Sequence, residues 1–545
     1  MFDFFPKFWD NICKNTKGAI GCNHLSDATG KRKKQAMAPV LRESEESKMN
    51  QKPNVIYILA DDMGYGDISA FNEKCPFTTP NLDNMCENGL RFTDAHSSSA
   101  VCTPSRYSIL TGRYNWRSRL KSSVVGGYSE PLLEKGRKTV ANLFQEQGYH
   151  TAMIGKWHLG MNFTKTPEFT ELPDFDACKG VDYGAPIQDS PVANGFDYYF
   201  GISGSLDMPP YIYIENDRFT ELPDRETVGT GKKYWRKGPT GKNFHHENVL
   251  DELTDKVLEK IDEYKGEPFF LYFPMPAPHT PILPAPEFQG KSGTNEYGDF
   301  VLHCDHVVGR ISDKLKETGL FNNTILIYTS DNGCSPMANY EELKAKGHNP
   351  SYVFRGTKAD IYEGGHRIPL IVQWPETIKA GGCCERIVCL SDLMSTMAEI
   401  LDVKLPDTCA EDSVSNLPLW KEPESSEVRK DIVHQSIDGS LSIRRGQFKL
   451  ELCPGSGGWS DPVPSKEDPA APRFQLYDLS MDISERRNVI EEHLELATEL
   501  KAVLKDYIEN GRSTPGAPQS NNGQRIWDTI GWLDEEDEGT IKIFR

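Results

Sequence analysis

The chain has 545 residues and 61 Lys and Arg against 80 Asp and Glu, a formal net charge of −19. Such a surface repels nucleic acid and long polyanions, so any anionic substrate has to be held by a local basic pocket. An apolar fraction of 37% with nine Trp and 25 Phe excludes a disordered chain and supports more core than one domain usually builds, while no window approaches the roughly 18 to 20 apolar residues of a membrane span.

Residues 1–52 carry aromatics and a Lys31-Arg32-Lys33-Lys34 cluster but no apolar stretch behind a basic start, so they read as a solvated extension without a legible secretory signal. The first strong element is Asn54 to Ala60, a continuous apolar run that ends in Asp61-Asp62 and predicts a strand buried on both faces. Similar short runs follow at His150 to Ile154, Phe269 to Phe273, Thr324 to Thr329 and Pro369 to Trp374. Between them, helical spacing predicts helices over Thr139 to Gln147, Asn248 to Tyr264 and about Phe300 to Thr318, the last stopped by Gly319. The alternation implies an α/β fold, a large mostly parallel β-sheet sandwiched by helices. In such sheets ligands bind beyond the carboxyl ends of the strands, where Asp61-Asp62, Lys156/His158, His279 and Asp331-Asn332 all fall.

From about Asp402 the texture turns to Pro, Ser and Glu, followed by strands at Leu441 to Arg444 and Phe448 to Leu452 and a helix around Glu491 to Tyr507. The organisation expected is an extension (1–52), a catalytic domain (53–402), a smaller α+β domain (403–515) and a tail (516–545), since Gly511 to Gln524 is rich in turn formers.

The sharpest motif is Cys102-Thr-Pro-Ser-Arg106, followed by Leu110-Thr-Gly-Arg113. It resembles the type I sulfatases of the alkaline phosphatase superfamily, in which the motif cysteine is oxidised by a formylglycine-generating enzyme to formylglycine (3-oxoalanine), whose hydrate attacks the sulfate ester. The resemblance spans about residues 53 to 515. It implies that Asp61, Asp62, Asp331 and Asn332, with the oxygen made at Cys102, hold one divalent metal; side-chain oxygens without thiolate or imidazole suit Ca²⁺, with Mg²⁺ as the alternative. Gly155-Lys156-Trp157-His158-Leu159-Gly160 resembles the family segment whose lysine contacts sulfate and whose histidine hydrogen-bonds the formylglycine. His279 matches the histidine near the leaving oxygen, Lys358 the second sulfate-binding lysine, and Arg106 completes the cationic set. Fixed cations of this kind stabilise a sulfuryl group where its charge develops.

A softer resemblance to sulfatases acting on carbohydrates, in Ser205-Leu-Asp-Met-Pro-Pro210, Cys453-Pro-Gly-Ser-Gly-Gly458 and Gly511-Arg-Ser-Thr-Pro-Gly516, makes His348, Asp207 and Trp459 candidates for a sugar subsite. One departure is Ser395, where relatives often carry Pro. Two other readings compete: a phosphate or phosphonate ester hydrolase of the same superfamily, which usually places His at the position of Asn332, and an inactive sulfatase-shaped binding protein, which would have lost Cys102, Arg106, His158 or a metal carboxylate. The twelve cysteines besides Cys102 leave the compartment open, although the resemblance favours a secreted, lysosomal or periplasmic protein. Asn162-Phe-Thr and Asn322-Asn-Thr would accept glycans on a secreted chain.

Overall fold

An apolar run that buries both faces must find backbone partners on both edges. In the computed structural model, which describes residues 52–170, 175, 178–463, 472–535 and 539–543, the run at Asn54 does so inside a ten-stranded sheet. The Lys31–Lys34 cluster lies outside the described residues. In chain order the strands are Asn54–Asp61 (β1), Leu90–Phe92 (β2), His150–Lys156 (β3), Tyr198–Ile202 (β4), Ile214–Glu215 (β5), Arg218–Phe219 (β6), Phe269–Pro278 (β7), Thr324–Ser330 (β8), Leu370–Gln373 (β9) and Gly382–Cys384 (β10). They lie in the order β10-β2-β9-β8-β1-β7-β3-β4-β5-β6. The central five, from β8 to β4, are parallel, with Val55 opposite both Phe270 and Ile325. The antiparallel partners sit outside them, at β9 and at β5 and β6.

Alternation along β1 sends Ile56, Ile58 and Ala60 into one apolar layer and Val55, Tyr57 and Leu59 into the other. The first layer is covered by Pro80–Glu87 (α1), Val249–Glu263 (α4) and Glu296–Thr318 (α5). The second is covered by Cys102–Thr111 (α2), Val140–Glu146 (α3) and, after the short helix Glu363–His366 (α6), Leu393–Ile400 (α7). Each fully buried Ile or Leu contributes about 1.5–3 kcal/mol, so both faces hold the strands in register. Helix α5 begins earlier than Phe300 because the Asn295 side chain accepts from the backbone N–H groups of Tyr297 and Gly298; it stops at Gly319, whose φ is 75°. In α7 the Ser395 N–H donates to Ser413 Oγ at 3.0 Å, a bond that proline could not make.

The C-terminal part is a four-stranded antiparallel meander, Ile432–Gln435 (β11), Leu441–Arg445 (β12), Phe448–Glu451 (β13) and Gln475–Asp478 (β14), packed against Leu494–Glu509 (α8). The expected tail from 516 divides in two. Around 520–522 it wraps through polar contacts, with Ser520 O accepting from Arg113 at 2.8 Å and the Asn522 N–H donating to Arg117 O at 2.6 Å. Beyond it, Trp527, Ile530, Trp532, Leu533 and Ile541 enter the apolar cluster of β11–β14 and α8. That stretch is core rather than tail, because its own apolar side chains outweigh the turn-rich sequence before it.

Candidate active site

Parallel strands deliver their carboxyl ends to one edge, and the polar groups singled out by the sequence gather there. Asp61 is the last residue of β1, Lys156 the last of β3, His279 follows β7, and Asp331-Asn332 follow β8. Cys102 opens α2, preceded by Val101 in extended conformation, and Arg106 lies one turn later on the same face. Asp62 (φ 65°) and His158 (φ 57°) adopt left-handed backbone conformations, which cost non-glycine residues energy and persist only where the surroundings hold them. The Asp62 N–H donates to Asp331 Oδ1 at 3.2 Å, and the His158 N–H to Ser203 O at 2.9 Å.

Every cation meets a carboxylate. Lys156 Nζ lies 2.7 Å from Asp61 Oδ2, Lys358 Nζ 2.6 Å from Asp62 Oδ1, and Arg106 donates to Asp331 Oδ2 from Nε at 2.9 Å and Nη2 at 2.7 Å. Asn332 Nδ2 donates to Asp62 Oδ1 at 2.7 Å, and His279 Nε2 is 3.6 Å from Asp62 Oδ2. Cys102, Asp61, Asp62, Asp331 and Asn332 are all at most 3% exposed. Burial alone would raise the Asp61 carboxyl, but Lys156, His279, Arg106 and Lys358 outweigh it and hold that group well below the usual range. Burial also pushes the Cys102 thiol up, against Lys156 and Lys358.

His158 is held neutral: burial, then Lys156 and Arg106, keep it well below its ordinary value. Its Nε2–H donates to Val125 O at 2.8 Å, which assigns the tautomer and leaves Nδ1, buried and without a hydrogen-bond partner, as an acceptor. Two oxygens, Asp61 Oδ1 and Asn332 Oδ1, are likewise buried without a hydrogen-bond donor. Among three carboxylates, such orphaned hard oxygens are the donor set an oxophilic divalent cation requires.

Sequence reasoning missed Ser205 as a site residue: its Oγ accepts from Lys156 Nζ at 3.2 Å and sits 3.3 Å from His279 Nδ1, so it ties two pocket groups together. It also missed the layer beneath Asp62. Tyr297 Oη donates to Asp62 O at 3.1 Å and to Asp67 Oδ2 at 2.5 Å, and Asp67 Oδ1 meets His348 Nε2 at 2.7 Å. His348 is therefore a fully buried support rather than a sugar-contacting surface residue, because Asp67 draws it inward. Asp207 is buried against Arg236. Trp459 is 51% exposed, its N–H fixed to Asp360 Oδ1 at 2.7 Å, two residues from Lys358.

Known proteins bear on this arrangement. The sulfatase family model matches residues 53–403. An N-acetylgalactosamine-6-O-sulfatase of Bacteroides thetaiotaomicron is 32% identical over 507 residues, covering 85% of this chain and 94% of its own length. Arylsulfatase A of Bos taurus is 28% identical and covers 83% and 86%. A solved Bacteroides thetaiotaomicron structure from work on the metabolism of multiple glycosaminoglycans superposes with a TM-score of 0.72 at 32% identity, over 84% of this chain and 99% of that one. With its strand-end carboxylates, its cations and the Cys102 motif in one pocket, the chain belongs to the sulfatase family, as a type I sulfatase of the alkaline phosphatase superfamily and a sulfuric ester hydrolase.

Proposed function

We propose that this enzyme hydrolyses the sulfate ester of a sulfated carbohydrate, and of aryl sulfates, with a nucleophile made from Cys102 and one Ca²⁺ held by Asp61, Asp62, Asp331 and Asn332. The observation that carries the metal assignment is the pair of buried oxygens without donors, Asp61 Oδ1 and Asn332 Oδ1, beside Asp62, where Asp61, Asp62 and His279 bring potential ligand atoms together. A metal bound there supplies charge neutralisation and polarisation of a sulfate oxygen. Conversion of Cys102 by a formylglycine-generating enzyme would supply two hydroxyls on one carbon, one to attack sulfur and one to let sulfate leave.

The chain's own residues account for the rest. The tautomer fixed by Val125 O and the absence of a hydrogen-bond partner at His158 Nδ1 support this group as the acceptor of a proton from a hydroxyl at position 102. Lys156, Lys358 and Arg106 are cations held in place by carboxylates, so little reorganisation is needed as charge grows on the sulfate oxygens. His279 stands by the pocket to protonate a poor leaving oxygen such as a sugar hydroxyl. The name of the N-acetylgalactosamine-6-O-sulfatase relative supports a sulfated sugar as substrate, and Trp459 offers an exposed ring on which a sugar could pack.

A phosphonate monoester hydrolase of Agrobacterium radiobacter shares the fold with a TM-score of 0.52 at 18% identity. Asn332 in place of a histidine ligand favours the sulfate reading. Paired assays with 4-nitrophenyl sulfate and 4-nitrophenyl phosphate test it, with the sulfate expected to turn over at least about 100-fold faster, a gap of ~3 kcal/mol in barrier. Comparable rates would reverse the assignment, and an unmodified thiol in the Cys102 peptide of active enzyme would overturn the nucleophile.

A further inference from the structure

The end of β11 meets the segments that build the pocket, and we propose that Gln435–Ile437 positions three parts of the active site at once, with the Gln435 carboxamide as a positioning group; the proposal rests on the sulfatase reading above. Gln435 ends β11 and is 1% exposed. Its N–H donates to Ser98 O at 3.0 Å, and its carbonyl accepts from the Ala100 N–H at 2.9 Å and from Ser99 Oγ at 3.0 Å. These are the residues that lead into Cys102. The next tie goes to the Lys358 segment, where the Ile437 N–H donates to Ala359 O at 3.0 Å while the Ala359 N–H donates to Ala100 O at 2.8 Å. The third goes to the loop behind His158. Gln435 Nε2 donates to Lys121 O at 2.7 Å, and Ile437 O accepts from the Ser123 N–H at 2.7 Å.

That loop ends at Val125, whose carbonyl fixes the His158 tautomer and whose N–H donates to Thr103 Oγ1 at 3.3 Å. Thr103 in turn donates to His158 O at 3.0 Å. Cys102-Thr103, Val125 and His158 thus form a closed ring of contacts, and Gln435 holds two sides of it from behind without touching the reacting groups.

The segment is anchored by its neighbour. His434 stacks on His366 with ring centres 3.7 Å apart and planes 13° from parallel, and His366 Nδ1 meets His96 Nδ1 at 3.0 Å. Each ring is held from two sides: His366 Nε2 lies 3.0 Å from Ile361 O and 3.1 Å from Lys449 Nζ, and His96 Nε2 lies 2.8 Å from Asp94 Oδ1 and 3.2 Å from Arg444 Nη1. Although His96, His366 and His434 bring ring nitrogens together, face-to-face rings cannot both direct an in-plane lone pair at one ion. The trio is a packed anchor, not a metal site.

Gln435→Met tests the proposal, because it keeps most of the buried volume but cannot donate to Lys121 O. Turnover of 4-nitrophenyl sulfate is measured per molecule carrying modified Cys102, counted from the mass of its peptide, with wild type assayed alongside so that a failure of the sulfatase reading shows separately. The expected result is kcat lowered about tenfold with KM changed less than about twofold, as for a small misplacement of reacting groups. Ser99→Ala, which removes only the hydroxyl that reaches Gln435 O, should fold in any case and lower kcat about threefold in the same pattern. A purely structural role would lower the melting temperature and leave kcat per modified molecule at the wild-type value in both variants; that result overturns the proposal.

Discussion

The pocket around Asp61 and the cluster around His96 both bury dense charge, yet they are built to opposite ends. In the pocket, Asp61, Asp62 and Asp331 face Arg106, Lys156 and Lys358, so the groups balance at zero, and Asn332 Oδ1 still has no donor. A divalent cation bound there, as proposed, would add two positive charges, which a sulfate dianion would balance; fixed charges of this kind favour a step in which charge grows on oxygen. In the cluster, burial raises both Glu451 and Glu485, while Asp94, Glu363 and Glu485 are paired with Arg367, Arg444 and Lys449, and burial holds the three imidazoles between them below their ordinary value. Asp94 is drawn further by three partners, with Arg444 donating to both of its oxygens at 2.8 and 2.7 Å. Charge density alone therefore does not mark a reactive site, and neither do buried atoms without partners, which the cluster also has at His434 Nε2, Glu363 Oε1 and Glu451 Oε1; the pocket differs in that its orphaned oxygens sit at strand ends beside the Cys102 motif.

That contrast can be broken experimentally. Asp331→Asn is expected to have the largest effect, a loss of bound metal and of at least about 1,000-fold in kcat, the scale on which removing fixed charge stabilisation acts. Metal analysis of the purified variant beside its kinetics checks this, and full activity with no metal would dissolve the distinction between the two regions. His96→Leu should do the reverse. It strands Asp94 and His366 without their shared partner, costing about 2–4 kcal/mol of stability in chemical denaturation while leaving metal content unchanged.

A smaller effect follows from pH. Burial first, and then the neighbouring Lys449 and Arg444 charges, hold His96, His366 and His434 below their ordinary value in the folded chain. The unfolded chain then binds more protons as pH falls below about 6.5, so stability declines in that window by up to ~1.4 kcal/mol per pH unit per histidine. Thermal unfolding between pH 8 and pH 5 should show the decline, and His434→Gln should make it shallower; an unchanged slope would show that His434 stays neutral in both states. The smallest change is expected from Trp459→Ala, which should raise KM for a sulfated oligosaccharide severalfold, about 1 kcal/mol of ring contact, and leave 4-nitrophenyl sulfate untouched.

The pocket was legible in the sequence because its residues fall at strand ends and in local motifs. The apolar run before Asp61 and the register of Cys102 with Arg106 can be seen without knowing what lies across the sheet. Four of the five central strands and the helices α3, α4 and α5 were legible for the same reason, their periodicity being local, whereas β4, α1 and α2 were not predicted. Ser205, Tyr297 and Gln435 were not, since each acts through one side chain or backbone group whose partner lies far along the chain. His348, taken as a candidate for a sugar subsite, is buried on Asp67, a partner too far along the chain to be seen in the sequence. The packing of Trp527 to Leu533 was hidden by the Gly- and Pro-rich stretch ahead of it.

Trp527 Nε1 donates to Gly439 O at 2.9 Å, closing the C-terminal core directly behind the segment that straps the Cys102 loop. Translation runs from the amino end, so β1 and α2 are made long before β11, and both long before Trp527. Cys102 is 3% exposed once the fold is complete, which shuts its thiol away from any macromolecular catalyst. During synthesis the peptide has neither its strap nor the core that backs it, and domains settle only as their parts emerge. If Cys102 is converted as proposed, the order of synthesis would give the converting enzyme an interval before the strap and its backing core exist, and folding would end that interval.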